Sequence, residues 1–178
     1  GVYAYNDSVA EPWFAPAGIN RGGLGSVIRV EQKLNQSTRD ALYNGKINPI
    51  ATFPNTGVVV FGQKTLQARP SALDRINVRR LMIYIKRGIN LISRQILFEP
   101  NVEDTWNNFK DKADPFLSDV KARFGLTDFK LVLDNTTTTP DLIDQNIMYA
   151  KIFIKPARAI EFIAIDFFIT NTGASFAD

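Results

Sequence analysis

The sequence contains neither cysteine nor histidine. Without cysteine there is no disulfide framework and no thiolate metal site. Without histidine the commonest general base and the commonest metal ligand are both missing. Long apolar runs are lacking as well. The longest, such as Ile163-Ala164-Ile165, are soon interrupted by charge, so no stretch reads as a membrane-spanning helix. Excess charge of either sign is also scarce: 21 basic and 18 acidic residues leave a net charge of +3. Nucleic-acid binders concentrate far more positive charge, which argues against such a partner.

What remains has the balance of an ordinary globular chain, 45% hydrophobic and 22% charged over 178 residues. That length suits one domain and buries roughly two thirds of the chain's surface on folding. Gly1 is not an initiator methionine. The expectation is a piece of something longer, so missing targeting signals carry no weight.

Along the chain, Gly1–Asp7 is a short leading piece, and Ala10–Gly25 is a loop rich in Pro, Gly and Asn. Ser26–Val30 reads as a strand and Ser37–Asn44 as a helix capped by Ser37 or Thr38. Pro49–Phe53 and Gly57–Phe61 form a hairpin through Pro54-Asn55-Thr56. A long helix is expected from Ser71, its cap, to Leu97, with Asp74 favoured by the helix dipole. Val78, Leu81, Ile85, Ile89, Ile92 and Ile96 form its apolar stripe. After Pro100, the residues Trp106, Phe109, Ala113, Leu117, Val120 and Phe124 mark a second helical face. Pro115 interrupts it, which predicts two short helices or a kink. Phe129–Leu133 reads as a strand, Thr136–Thr139 as a polar turn and Pro140–Gln145 as one helical turn. Two further strands are expected at Met148–Lys155 and Ile160–Thr170, joined at Pro156-Ala157-Arg158. The first alternates Ala150, Ile152 and Ile154 with Tyr149, Lys151, Phe153 and Lys155. The second is apolar on both faces, so it sits centrally in a sheet or gains cover from another chain. The expected class is α+β (mixed α/β): one domain, a β-sheet packed with a long amphipathic helix and shorter helices.

The loop Pro12–Val27 raises the question of phosphate binding. A phosphate cradle needs permissive glycines followed at once by a helix N-terminus. Gly22, Gly23 and Gly25 are followed instead by the strand-like Val27-Ile28-Arg29-Val30, and no Gly-Lys-Ser/Thr closes the loop. The loop therefore reads as a shape element that lets backbone pass closely against a neighbour. Its Arg21 reads as an ion-pair or carbonyl ligand. The carboxylate pairs Asp141/Asp144 and Asp111/Asp114 read as caps or solvated faces, with no calcium loop among them. No G-x-S-x-G or S-x-x-K pattern is present. The sequence-level reading is that the chain is not an enzyme and that it needs no cofactor or metal.

One constellation stands out. Arg80, Arg87 and Arg94 recur every seven residues on the long helix, with Tyr84 and Leu91 between them. At ~1.5 Å per residue they would span about 21 Å. The face is either merely solvated or a basic rib laid against an acidic partner.

Three stretches then carry a resemblance. Pro12-Trp13-Phe14-Ala15-Pro16-Ala17-Gly18-Ile19-Asn20-Arg21-Gly22 resembles the W-x-A/S-P-A-G-x-N-R-G stretch of contractile phage tail sheath proteins, nearest those of T4-like myoviruses. Asp74-Arg75-Ile76-Asn77-Val78-Arg79-Arg80-Leu81 is similar to their D-R-I-N-V-R-R-L helix start. Phe98-Glu99-Pro100-Asn101 and the ending Thr170-Asn171-Thr172-Gly173-Ala174 match as well. Trp13, Pro16, Gly18, Arg21, Gly22, Asp74, Arg75, Asn77 and Arg79 are the motif positions concerned.

The resemblance implies that residues 1–178 are the C-terminal, inner domain of a larger sheath subunit. Residues 1–25 would be the incoming linker and loop, and 171–178 the C-terminal arm. It implies sheet edges open to strands from neighbouring subunits, with Thr170, Thr172 and Phe176 on the donated strand. The implied partners are other sheath subunits in a helical array, the tail tube protein, and the baseplate and tail terminator at its ends. No nucleic acid and no direct membrane contact are implied. The place would be the virion tail, assembled in the host cytoplasm. A sheath from a bacterial injection apparatus, pyocin or type VI, is an alternative owner. A basic α/β nucleic-acid-binding module is an alternative of another class, though the aromatic-plus-basic strand motifs for it are lacking.

Overall fold

The computed structural model describes residues 1–165. It opens with α1 (Val2–Val9), where the sequence suggests only a leading piece, and passes through the four-residue α2 (Gly18–Arg21). Helix α3 (Gln36–Asn44) follows. Its cap is Asn35, two residues before Ser37 and three before Thr38, the expected caps, and the Asn35 side chain accepts from the Thr38 N–H. Strands β1 (Ile50–Phe53) and β2 (Gly57–Val60) form the expected hairpin, in the register Ile50↔Val60 to Phe53↔Gly57. Asn55 and Gly57 take positive φ at its turn.

The long helix is shorter than expected. Ser71 caps a 3₁₀ turn, Ala72–Asp74, and α4 proper runs Ile76–Arg94. Arg75 between them is extended, at φ −117° and ψ 140°, because it bridges in antiparallel fashion to Lys64. The stripe holds: Val78, Leu81, Ile85 and Ile96 are buried.

Helix α5 runs as one helix over Glu103–Ala122 through Pro115, so the two short helices do not form. Pro115 lies on the exposed face, so its missing hydrogen bond leaves a carbonyl near water. The opposite face carries the helix through, since Ala113 and Leu117 are each 0% exposed. Phe124 is not part of that face: it lies past the helix end at φ 61° and is 76% exposed.

Strand β3 (Leu126–Val132) pairs antiparallel with β4 (Lys151–Pro156), and α6 (Pro140–Asp144) is the single turn between them. Along β4, Ile152 and Ile154 turn inward while Lys151, Phe153 and Lys155 face out, the predicted alternation. The mixed helix-and-strand class stands. Among the described residues, however, the strands divide into two two-stranded sheets. Ser26–Val30 forms no strand, with Ile28 98% exposed. Residues 160–165 form none either, and the rest of that expected strand lies outside the described residues, as do Thr170, Thr172 and Phe176.

Two adjoining clusters make the core. Trp13, Leu81, Ile85, Leu117, Val120 and Leu126 form one. Ile96, Trp106, Phe109, Ala113 and Leu133 form the other, with Ile89 touching both. At the α4–α5 crossing, a Cβ on Gly88 would lie 2.2 Å from the Phe116 ring. A mid-helix glycine costs about 1 kcal/mol in propensity, and here it permits the close approach.

Candidate functional site

The glycine-rich loop is used up internally. Gly18 sits at φ +80° and starts the short α2. The Gly22 N–H donates to the Gly18 carbonyl at 2.7 Å, and the Gly22 carbonyl accepts from the Val60 N–H at 2.8 Å. The Leu24 N–H donates to Val58, and Gly23 bridges Val59. The loop thus lies along the outer edge of β2. The Gly22 and Leu24 donors that a phosphate would need are already committed to protein carbonyls. Arg21 closes the loop as a carbonyl ligand, its Nε donating to Ala15 at 3.0 Å with the guanidinium over Phe14. Pro16 is buried beside it.

Trp13 plugs this loop into the core. It is 3% exposed, its Nε1–H donates to the Arg123 carbonyl at 3.0 Å, and Tyr84 meets it edge-on at 5.0 Å. The Arg123 guanidinium lies over the same indole and pairs with Glu11 and Asp119.

The arginine stripe is not uniform. Arg80 is engaged from within: it pairs with Asp7 at 2.6 Å and lies over Tyr3, both on α1. That hydrogen bond holds the Asp7 carboxyl below its ordinary range. Tyr84 turns into the core between Trp13 and Phe116. Arg87 and Arg94 are exposed and enter no ion pair among the described residues, and Leu91 between them is 54% exposed. A basic rib available to a partner therefore reduces to Arg87 and Arg94.

The second motif surrounds a polar knot. Arg75 grips the Glu161 carboxylate with both arms, Nε to Oε1 at 2.6 Å and Nη2 to Oε2 at 3.0 Å, and also pairs with Asp74 at 3.2 Å. Gln63 donates to Glu161 at 3.2 Å. Arg79 points to solvent, while Asn77 is 5% exposed. Next to the knot, a cleft of about 1000 Å³ opens, bordered by Phe14, Arg21, Phe61, Asn77, Phe124 and Phe162. Both motifs therefore reach one cleft. Inside it, Gln63 Oε1 and Asn77 Oδ1 are buried acceptors with no partner among the described residues.

Burial raises the Glu161 carboxyl, but the hydrogen bond from Arg75 and the neighbouring Tyr43 hydroxyl outweigh it, and the net shift is downward. Burial and then the Glu161 charge push Tyr43 up to about 12. The charged and titratable neighbours of Glu161 are thus Arg75, Asp74 beyond it, and Tyr43. A depressed folded-state pKa stabilises the fold above the unfolded value and loses that contribution as pH falls through the folded value. The expected result is that Glu161→Gln lowers stability at neutral pH, and that the difference shrinks as pH falls below the ordinary glutamate pKa of 4.5 and is gone only below the lower folded-state value. Urea denaturation of both proteins from neutral to acid pH checks it.

Sequence reasoning missed Glu161, Gln63, Tyr43, Asp7, Glu11 and Arg123. One signal was there: Glu161 is a lone acid in the apolar run Ile160-Glu161-Phe162-Ile163.

Exposed strand edges complete the picture. Among the described residues β1, β3 and β4 each pair along one edge only. Ile160, Phe162, Ile163 and Ile165 are 83%, 84%, 78% and 65% exposed. No group of His, Cys, Asp and Glu among the described residues could hold a metal, and no described helix is long and apolar enough to cross a membrane.

These features describe one module, mixed in helix and strand, whose ladder edges are in part unfilled among the described residues. The chain belongs to the phage tail sheath C-terminal domain family, whose pattern it matches over residues 68–170. It is 42% identical over its whole length to the tail sheath protein of Vibrio phage KVP40, of which it covers 26%. It is 40% identical over 99% of its length to the tail sheath protein of Enterobacteria phage T4, covering 27% of that protein. The chain therefore spans about a quarter of the length of these relatives. Its fold is similar to a chain in the baseplate of the anti-feeding prophage, with TM-score 0.86 and 27% identity, over 96% of this chain and 48% of that one. It matches the contracted PVC sheath of an extracellular contractile injection system equally well, at TM-score 0.86 and 27% identity over 94% and 48% of the two chains.

Proposed function

We propose that this chain is the inner, tube-facing domain of a contractile tail sheath subunit. The observation that carries this reading is the combination of one-sided strands and an exposed apolar segment. Soluble proteins protect such edges because edges recruit other strands. A sheath uses them, adding strands between subunits in a helical array whose head-to-tail contacts do not close. The cleft beside Glu161 suits an extended segment: its walls are largely apolar and its two unpaired acceptors match backbone N–H groups. Residues 171–178, with Thr170, Thr172 and Phe176 at the strand, serve as the donated arm. Arg87 and Arg94 face the tail tube, and the baseplate and terminator close the ends. Contraction draws on two subunit packings separated by a barrier rather than on nucleotide hydrolysis. The subunit assembles in the host cytoplasm and ends in the virion tail. The higher identity to phage tail sheaths than to injection-system sheaths favours a phage owner.

Negative-stain imaging of the full-length parent protein tests this. Striated hollow tubes are expected without nucleotide. Removing 171–178 should abolish them, and reversing charge at Arg87 and Arg94 should leave sheaths that no longer seat on tail tube. Dispersed particles from the intact parent, even with tube as template, would refute the proposal.

A further inference from the structure

The D-R-I-N-V-R-R-L motif puts Arg75 at the joint between the 3₁₀ turn and α4, and that arginine reaches far along the chain. The last described backbone hydrogen bond before the terminal segment is Ala157 N–H to the Gly125 carbonyl, at 3.0 Å. Beyond it, the described hydrogen bonds of residues 158–165 to the rest of the fold all run through the Glu161 carboxylate. The Glu161 side chain is 16% exposed, whereas the apolar side chains around it face solvent. Among the described residues, the segment's hydrogen bonds to the body therefore converge on one point.

That point is well made. The guanidinium fork matches the carboxylate in bidentate geometry, which fixes direction as well as distance. Arg75 is itself immobilised, because its backbone bridges Lys64 and the Ile76 N–H donates to the Gln63 carbonyl at 2.8 Å. Gln63, from the same strip of chain, adds the third hydrogen bond to Glu161.

We propose that the Arg75–Glu161 pair is a positioning tether, which fixes the path of the apolar segment 158–165 so that it is presented to a second subunit in ordered form. The idea rests on the strand-addition reading above. Ordering an extended residue costs backbone entropy, so a segment held beforehand joins a neighbour's sheet with less left to lose. None of the described backbone hydrogen bonds uses an N–H or C=O group of residues 158–165, so a tether through one side chain keeps that backbone for pairing with another chain.

The test uses unassembled full-length parent protein and trypsin cleavage after Arg158, three residues from the tether. Cleavage requires the segment to leave the body and enter the protease. Glu161→Gln and Arg75→Gln should each speed cleavage about 10-fold, and the double variant no further, because both break the same link. Arg75 lies far from the cleaved bond in sequence, so its effect cannot come from protease subsite preference. Equal cleavage in Glu161→Gln and parent, or effects of the two substitutions that multiply in the double variant, would overturn the tether. A second readout follows assembly: Glu161→Gln should form tubes about 10-fold more slowly, and an unchanged rate would overturn the positioning role. If the intact parent forms no tubes, the sheath reading fails while the cleavage result still decides the tether.

Discussion

Replacing Trp13 by alanine is expected to lower stability by about 4 kcal/mol, within the range for a buried aromatic cut back to a methyl group. The indole belongs to the buried cluster formed by α4, α5 and the start of β3, with Leu81, Ile85, Leu117, Val120 and Leu126. The cavity cannot collapse easily, because Gly125 already brings its backbone to the indole: a Cβ there would lie 3.1 Å from Trp13 Cε2 and 2.7 Å from Val120. The substitution also strips the donor from the Arg123 carbonyl, the edge-on partner from Tyr84 and the surface under the Arg123 guanidinium. Trp13→Phe keeps most of the ring but not the N–H, and should cost about 1–2 kcal/mol. Urea denaturation separates the three proteins. A loss under 1 kcal/mol in the alanine variant would show that Trp13 is not the pin between loop and core.

Gly22→Ala is expected to cost about 3 kcal/mol, at the upper end for an overpacked site. The added Cβ would lie 2.4 Å from the Val60 carbonyl oxygen and 2.8 Å from Gly18 backbone atoms. All three obstacles are main chain, so no side chain can swing away, and either the loop or β2 must move. Because Gly22 also accepts from Val60 and donates to Gly18, that movement breaks the hydrogen bonds holding the loop to the hairpin. Gly23→Ala is the control: its Cβ would meet nothing within 4 Å. There the change should be neutral or stabilise by about 0.4–1 kcal/mol through the unfolded chain. Equal thermal midpoints for the Gly22 and Gly23 variants would refute the close-approach account of this loop.

Local patterns were readable wherever one residue's chemistry settles the local structure. The hairpin followed from its turn residues, and α4 from its apolar spacing. The alternation of β4 was visible in Ile152 and Ile154 against Phe153 and Lys155. Readings failed where tertiary context overrode a local rule. Pro115 looks like a break, yet the buried face through Ala113 and Leu117 carries α5 past it. Val27-Ile28-Arg29-Val30 looks like a strand, yet the neighbouring Gly22–Leu24 takes the edge of β2 and leaves it unpaired.

The sequence by itself determined the mixed class and, through its two long motifs, the family. These rest on composition, periodicity and residue identity, all carried by neighbours in the chain. Only the tertiary structure decided which charges are spent and which are free. Arg80 meets Asp7, 73 residues away, and Arg75 meets Glu161, 86 residues away. No local spacing encodes such a meeting. Arg80, Arg87 and Arg94 look alike as a heptad series, and what separates the first from the other two is that α1 folds back over it. An ion pair needs its partners within a few ångströms, and at such sequence separations only the packing of the whole chain brings them that close.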